Sequence, residues 1–213
     1  MCKCEGSLLT YCRSPVESRL DGSLGRPEPG QARHSQGSQT TRNARYQTTV
    51  PVLSIRRYPD PALKSRCTEV TVFDAGLKAL ADDLHAAMTA APGVGITAAH
   101  CGILQRLVLL DLAELGGRRD YVNPELVSVS EETMEHTEGS VSMPGMTDTL
   151  VRPRKVDIRY RTLGGVEMRE TLEGFAAICM QHEIDQLDGI FWIQRLSRLK
   201  RERLLKKWDK QAR

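Results

Sequence analysis

His182-Glu183-Ile184-Asp185-Gln186 opens with the residues and spacing of the metal-binding helix motif H-E-x-x-H, but puts glutamine where the second histidine belongs. Residues four apart lie one above the other on a helix, so two histidines at that spacing offer two imidazole nitrogens to one ion, and the glutamate between them serves as general base. Phe175, Ile178, Cys179 and Leu187 recur at helical spacing, and Gly189 is placed to end the run. The pattern predicts a helix over 171–187 with His182 and Gln186 sharing its inward face. By itself, His182 also reads as a core histidine with satisfied hydrogen bonds.

Two further segments add to this helix. Gly93-Val94-Gly95-Ile96-Thr97-Ala98-Ala99-His100 reads as a glycine-paired turn, and Glu138-Gly139-Ser140-Val141-Ser142-Met143-Pro144 as a short turn-to-strand run. A glycine pair alone marks only a tight turn. In their order and spacing, however, the three strings resemble the signature motifs of peptide deformylase: G-x-G-x-A-A-x-Q, E-G-C-x-S and H-E-x-x-H. That family removes the formyl group from the initiator methionine of nascent proteins. The resemblance runs from about Val50 to the C-terminus and includes Tyr121-Val122-Asn123-Pro124. It implies an α+β fold in which mixed or antiparallel strands pack around the H-E-x-x-H-type helix.

Carried over position by position, the resemblance implies Glu183 as general base and His182 as the first ligand histidine of an Fe²⁺ or Zn²⁺ site. It puts Ser140 where the family has its metal-binding thiolate, Gln186 at the second ligand histidine and His100 at the oxyanion-stabilising glutamine. Gly95 and Val141 would border the substrate. Only His182 and Glu183 keep the family's residue types at these five positions.

A thiolate and two neutral imidazoles hold a borderline cation and leave a fourth position for water. A serine hydroxyl stays protonated near neutral pH, and a carboxamide oxygen is uncharged. Without the ion no bound water has its pKa lowered toward about 7, so Glu183 would face ordinary water. His100 could swing inward to pair with His182, act as an oxyanion donor in the right tautomer, or simply bond a loop carbonyl. His136 could reach the same pocket, although its acidic neighbours Glu131, Glu132 and Glu135 point to a solvent-exposed position.

The chain has 213 residues and a net charge of +3, which suits one enzyme-sized domain. Residues 1–48 are rich in Ser, Gly, Gln and Arg without an apolar period, so they are expected to be a disordered extension. They lack the apolar core of a secretory signal, and no stretch approaches the roughly 20 apolar residues of a membrane span. A cytoplasmic location without membrane contact is the expectation. The six cysteines follow no framework spacing and read as reduced thiols. The deformylase-like domain is expected over 49–194.

Within it, Leu77 to Met88 has the amphipathic helical pattern, with Pro92 beyond its end and His85 structural or exposed. Leu104–Leu112 and Val156–Tyr160 read as strands, the latter followed by a turn at Gly164-Gly165. Residues 195–213 carry nine Lys or Arg against Glu202 and Asp209, with Leu196, Leu199, Leu204, Leu205 and Trp208 approximating one face. This predicts a basic amphipathic helix of the same domain. Its charge reads either as a solvated outer face or as a contact for nucleic-acid phosphate. The deformylase resemblance implies the ribosome as that partner.

Three functions remain open on the residues alone. The first is a deformylase-like protein of little or no activity that binds nascent or formylated peptide N-termini. The second is an active metal-dependent amide hydrolase with a site rebuilt from His182 and His100. The third is a non-catalytic ribosome-associated or structural protein.

Overall fold

A computed structural model describes residues 53–211; the extension expected over 1–48 lies outside the described residues. The order is α1 (Ala75–Ala90), β1 (Gly95–Thr97), β2 (Leu107–Leu112), β3 (Gly117–Val129), β4 (Thr133–Gly139), β5 (Thr147–Pro153), β6 (Lys155–Arg161), β7 (Glu167–Glu173), α2 (Gly174–Leu187) and α3 (Arg198–Gln211). Strands β1-β2-β3-β6-β7 form an antiparallel sheet in that order, and β4 and β5 form a separate antiparallel pair. The fold is α+β, with the helix bearing His182 at its centre.

β2 reads as a nearly unbroken apolar run because both of its faces are covered. Leu107 and Leu109 pack toward α1 with Leu77, Ala81, Leu84 and Met88. Val108, Leu110 and Leu112 pack toward α2 with Ala177, Met180, Ile184 and Leu187. The predicted strand over 104–112 is shorter than expected and begins at Leu107. Asp74 caps α1 by accepting the Leu77 N–H at 3.0 Å.

The predicted helix over 171–187 starts three residues late. Thr171, Leu172 and Glu173 instead finish β7, paired with Asp157, Val156 and Lys155. Gly174 then turns the chain at φ +61° into α2, a conformation glycine adopts without penalty. The segment around Ser140 also departs from expectation: the strand comes first, ending at Gly139, and the turn follows. In β3, Asn123 takes φ +51° at a bulge. Its side chain secures the bend by accepting from Val70 N–H and donating to Val70 O, both at 2.8 Å.

α3 docks through Leu204, Leu205 and Trp208 onto Met143, Met146, Leu150 and Phe191. Leu199, expected on that face, is 68% exposed, and Leu196 is buried ahead of the helix. The Trp208 indole N–H donates to Tyr58 O at 3.2 Å. No helix among the described residues is long and apolar enough to cross a membrane.

Candidate functional site

Three segments meet at α2. A Cβ added at Gly95 in β1 would lie 2.5 Å from Glu183 Oε1 and 3.1 Å from Leu110 Cδ2, so the glutamate occupies the space that glycine leaves. A Cβ at Gly93 would lie 2.9 Å from Val141 Cγ1, which brings the turn after β4 against the loop before β1. Glu138, near the end of β4, joins the turn to the helix: its Oε2 is 2.9 Å from His182 Nδ1. All seven site residues named from sequence are thereby brought to one region: Gly95, Val141, His100, Glu183 and His182, with Ser140, the residue before Val141, and Gln186, one turn beyond His182.

Behind His182 runs a buried ionic chain that the sequence did not disclose. Arg152, 6% exposed, grips both oxygens of Glu138, with Nη2 to Oε2 at 2.9 Å. Its Nη1 reaches Asp185 Oδ2 at 2.9 Å, and Asp185 in turn accepts a bidentate pair from Arg195, with Nε at 3.0 Å. Burial alone would raise the Glu138 pKa, but the hydrogen bonds from His182 and Arg152 overrule it and hold the carboxyl at about 2. Burial disfavours a charged His182, yet the bond to Glu138 and the field of Glu183 raise its pKa above the ordinary value. A usable signal did exist for Arg152. It stands two residues from the buried Leu150 on β5 and therefore shares the inward face of that strand.

His100 is 1% exposed and held by the turn it belongs to. Its Nδ1 accepts the Thr97 N–H at 3.0 Å and lies 2.9 Å from Thr97 Oγ1. Burial, with the charge on His182 adding to it, pushes its pKa down to about 3. The ring is therefore neutral, with its proton on Nε2. Its partner is thus a backbone N–H and not the loop carbonyl considered from sequence, and Nδ1 is 4.0 Å from Glu183 Oε2. His136 is half-buried against the Phe175 ring at 5.0 Å, which corrects the expected solvent-exposed position. A residue on a two-stranded hairpin has one face turned inward whatever the charge of its neighbours. His85 is half-buried, with Nε2 3.2 Å from Asp111 Oδ2.

Glu183 Oε2 is buried without a hydrogen-bond partner, and burial raises its pKa from 4.5 to about 7 against the pull of His182. Well below pH 4.5 the group is protonated in both folded and unfolded chains and costs nothing. As pH rises from 4.5 to about 7 the unfolded chain ionises freely while the folded one holds its proton against burial of the charge, so stability is lost across that window and stays lost above it. The difference corresponds to roughly 3 kcal/mol. Glu183→Gln is expected to stabilise the protein by up to that amount at pH 8 and by little at pH 4.5, read by urea denaturation of variant and parent side by side. A stabilisation that does not grow with pH would contradict the assignment.

The donors at the family's ligand positions do not suit Fe²⁺ or Zn²⁺. Gln186 Nε2 donates to Leu63 O at 2.8 Å, which fixes the amide and leaves Oε1, a neutral oxygen, as its only other polar atom. Ser140 Oγ accepts from Ser142 N–H at 3.2 Å. His182 is the one strong donor of the three. Among the described residues no group of three or more His, Cys, Asp or Glu side chains is arranged to hold a metal. Borderline cations are held by combinations of thiolate, imidazole and carboxylate donors, and of these the three positions supply a single imidazole.

Comparison with known proteins gives a consistent result. Residues 52–202 match the family model described as polypeptide deformylase. A peptide deformylase-like protein of Agrobacterium fabrum is 59% identical over 153 residues, covering 72% of this chain and 93% of the relative. A peptide deformylase of Phenylobacterium zucineum is 41% identical over 157 residues, covering 72% and 93%. The crystal structure of a peptide deformylase from Legionella pneumophila superposes with a TM-score of 0.71 at 36% identity, covering 76% of this chain and 98% of that one.

Proposed function

The chain belongs to the polypeptide deformylase family, and from that premise we propose that it binds peptide N-termini while having little or no capacity to remove a formyl group. The observation that carries this reading is the Gln186 amide, whose nitrogen is committed to Leu63 O and whose neutral oxygen is a poor substitute for imidazole. With Ser140 in place of a thiolate, two of three protein donors lack the strength to retain a catalytic cation. Glu183 then has no activated water to serve. A site rebuilt from His182 and His100 is disfavoured, because the His100 ring is fixed through Nδ1 by Thr97.

The chemistry left to these residues is recognition. Gly95 gives Glu183 its place beside β1, Val141 supplies an apolar wall, and His100 Nε2–H is a neutral donor. The exposed Lys and Arg of α3 complete the proposal as a surface for ribosomal RNA phosphate, in the cytoplasm, where nascent chains emerge.

The test uses full-length protein purified anaerobically with Fe²⁺ or Zn²⁺ present. Elemental analysis is expected to find almost no metal, and formyl-Met-Ala-Ser is expected to bind saturably without sustained hydrolysis. Near one metal per chain together with steady turnover would overturn the proposal.

A further inference from the structure

Two buried acceptors in this site have no donor. Glu183 Oε2 and Gln186 Oε1 both lack a hydrogen-bond partner; their residues are 2% and 1% exposed. They stand three positions apart in α2, one turn from each other on the same side. Buried polar atoms are nearly always satisfied, and two orphans one turn apart on one helix mark a place where something that donates hydrogen bonds is missing.

Two of the neighbouring donors are already taken. Gln186 Nε2 goes to Leu63 O and the Thr97 N–H to His100 Nδ1. The charges agree with the hydrogen bonds: Glu138 and Asp185 are matched by Arg152 and Arg195, whereas among the described residues no guanidinium or ammonium pairs with Glu183. A divalent cation is excluded by the weak donor set, but a primary ammonium suits it. An ammonium has three N–H donors and a single positive charge, and it asks for oxygen acceptors of the kind Glu183 and Gln186 present.

We propose that the site takes the free α-ammonium of an unformylated peptide N-terminus, held by Glu183 Oε2 and Gln186 Oε1, in preference to a formylated one. The proposal rests on the peptide-binding reading above and specifies its ligand. Formylation removes the charge and two of the three donors, leaving one amide N–H for two acceptors and adding a carbonyl oxygen beside a carboxylate. A protein of this fold would thereby recognise the chain end that deformylation exposes.

Calorimetric titration of the full-length protein at pH 7 with Met-Ala-Ser and with formyl-Met-Ala-Ser tests this. The α-amino group is largely protonated there. Met-Ala-Ser is expected to bind at least tenfold more tightly, about 1.4 kcal/mol. Glu183→Gln, which keeps the shape and removes the charge, is expected to erase that ratio. Nα-acetyl-lysine amide, an ammonium on a side chain, is expected to bind at least tenfold more weakly than Met-Ala-Ser. A ratio below tenfold in the parent, its persistence in Glu183→Gln, or equal binding of the lysine derivative would overturn the α-ammonium assignment while leaving a non-hydrolytic peptide site intact. Binding of neither peptide would remove both proposals, and hydrolysis of the formyl peptide with bound metal would remove the first.

Discussion

The triple change Ser140→Cys, Gln186→His and His100→Gln is expected to take the protein from almost no metal to near one ion per chain, with a gain in Zn²⁺ affinity of at least 10³-fold, since loss of a supporting partner alone costs roughly 10–100-fold. Each change supplies a donor or partner of the type the family uses. Two features of the fold favour success. His182 already has Glu138 at 2.9 Å from Nδ1, the contact that fixes a ligating imidazole's tautomer. Leu63 O, which now accepts from Gln186 at 2.8 Å, stands ready to do the same for an imidazole at 186. Elemental analysis and hydrolysis of formyl-Met-Ala-Ser are the measurements. A folded but metal-free triple variant would sink the argument from donor chemistry. A metal-loaded but inert one would mean that the peptide pocket itself has diverged.

Arg152→Ala is expected to destabilise the protein by about 3–5 kcal/mol, the usual consequence of removing one partner from a buried ion pair. Among the described residues Arg152 is the sole guanidinium on Glu138 and one of two on Asp185, so truncation strands a fully buried carboxylate beside His182. Arg152→Lys should recover only part of the loss, because a lysine cannot hold both Glu138 oxygens in a planar fork. The acid limb should move as well. Glu138, held at about 2, contributes stability that is present above its unfolded value of 4.5 and is lost only as pH falls through about 2. Without Arg152 that loss should begin at higher pH. Urea denaturation across pH 2–8 reads both effects, and a change below 1 kcal/mol at pH 7 would show the chain of ions to be dispensable.

The sequence placed the helices well where apolar spacing was regular, as in α1, and poorly where a neighbouring strand competed for the same residues. Thr171–Glu173 had helical periodicity in prospect but found partners on β6, and pairing outweighed a pattern of only three residues. Leu199 of α3 fitted an idealised apolar face, yet the surface beneath the helix reaches only Leu204, Leu205 and Trp208. His136 was misjudged from its acidic neighbours, because strand alternation and not local charge decides which way a side chain faces.

What the linear chain determined was chemical identity and local spacing: a carboxamide four residues after a histidine, a hydroxyl beside a glycine turn, and a helix able to hold His182, Glu183 and Gln186 along one side. Donor strength is a property of each residue type and survives any folding. Only the tertiary structure decided which way the Gln186 amide points, since its partner Leu63 lies 123 residues away. It also set the protonation of His100, Glu138 and Glu183, because desolvation and the field of Arg152 exist only once strand and helix enclose them.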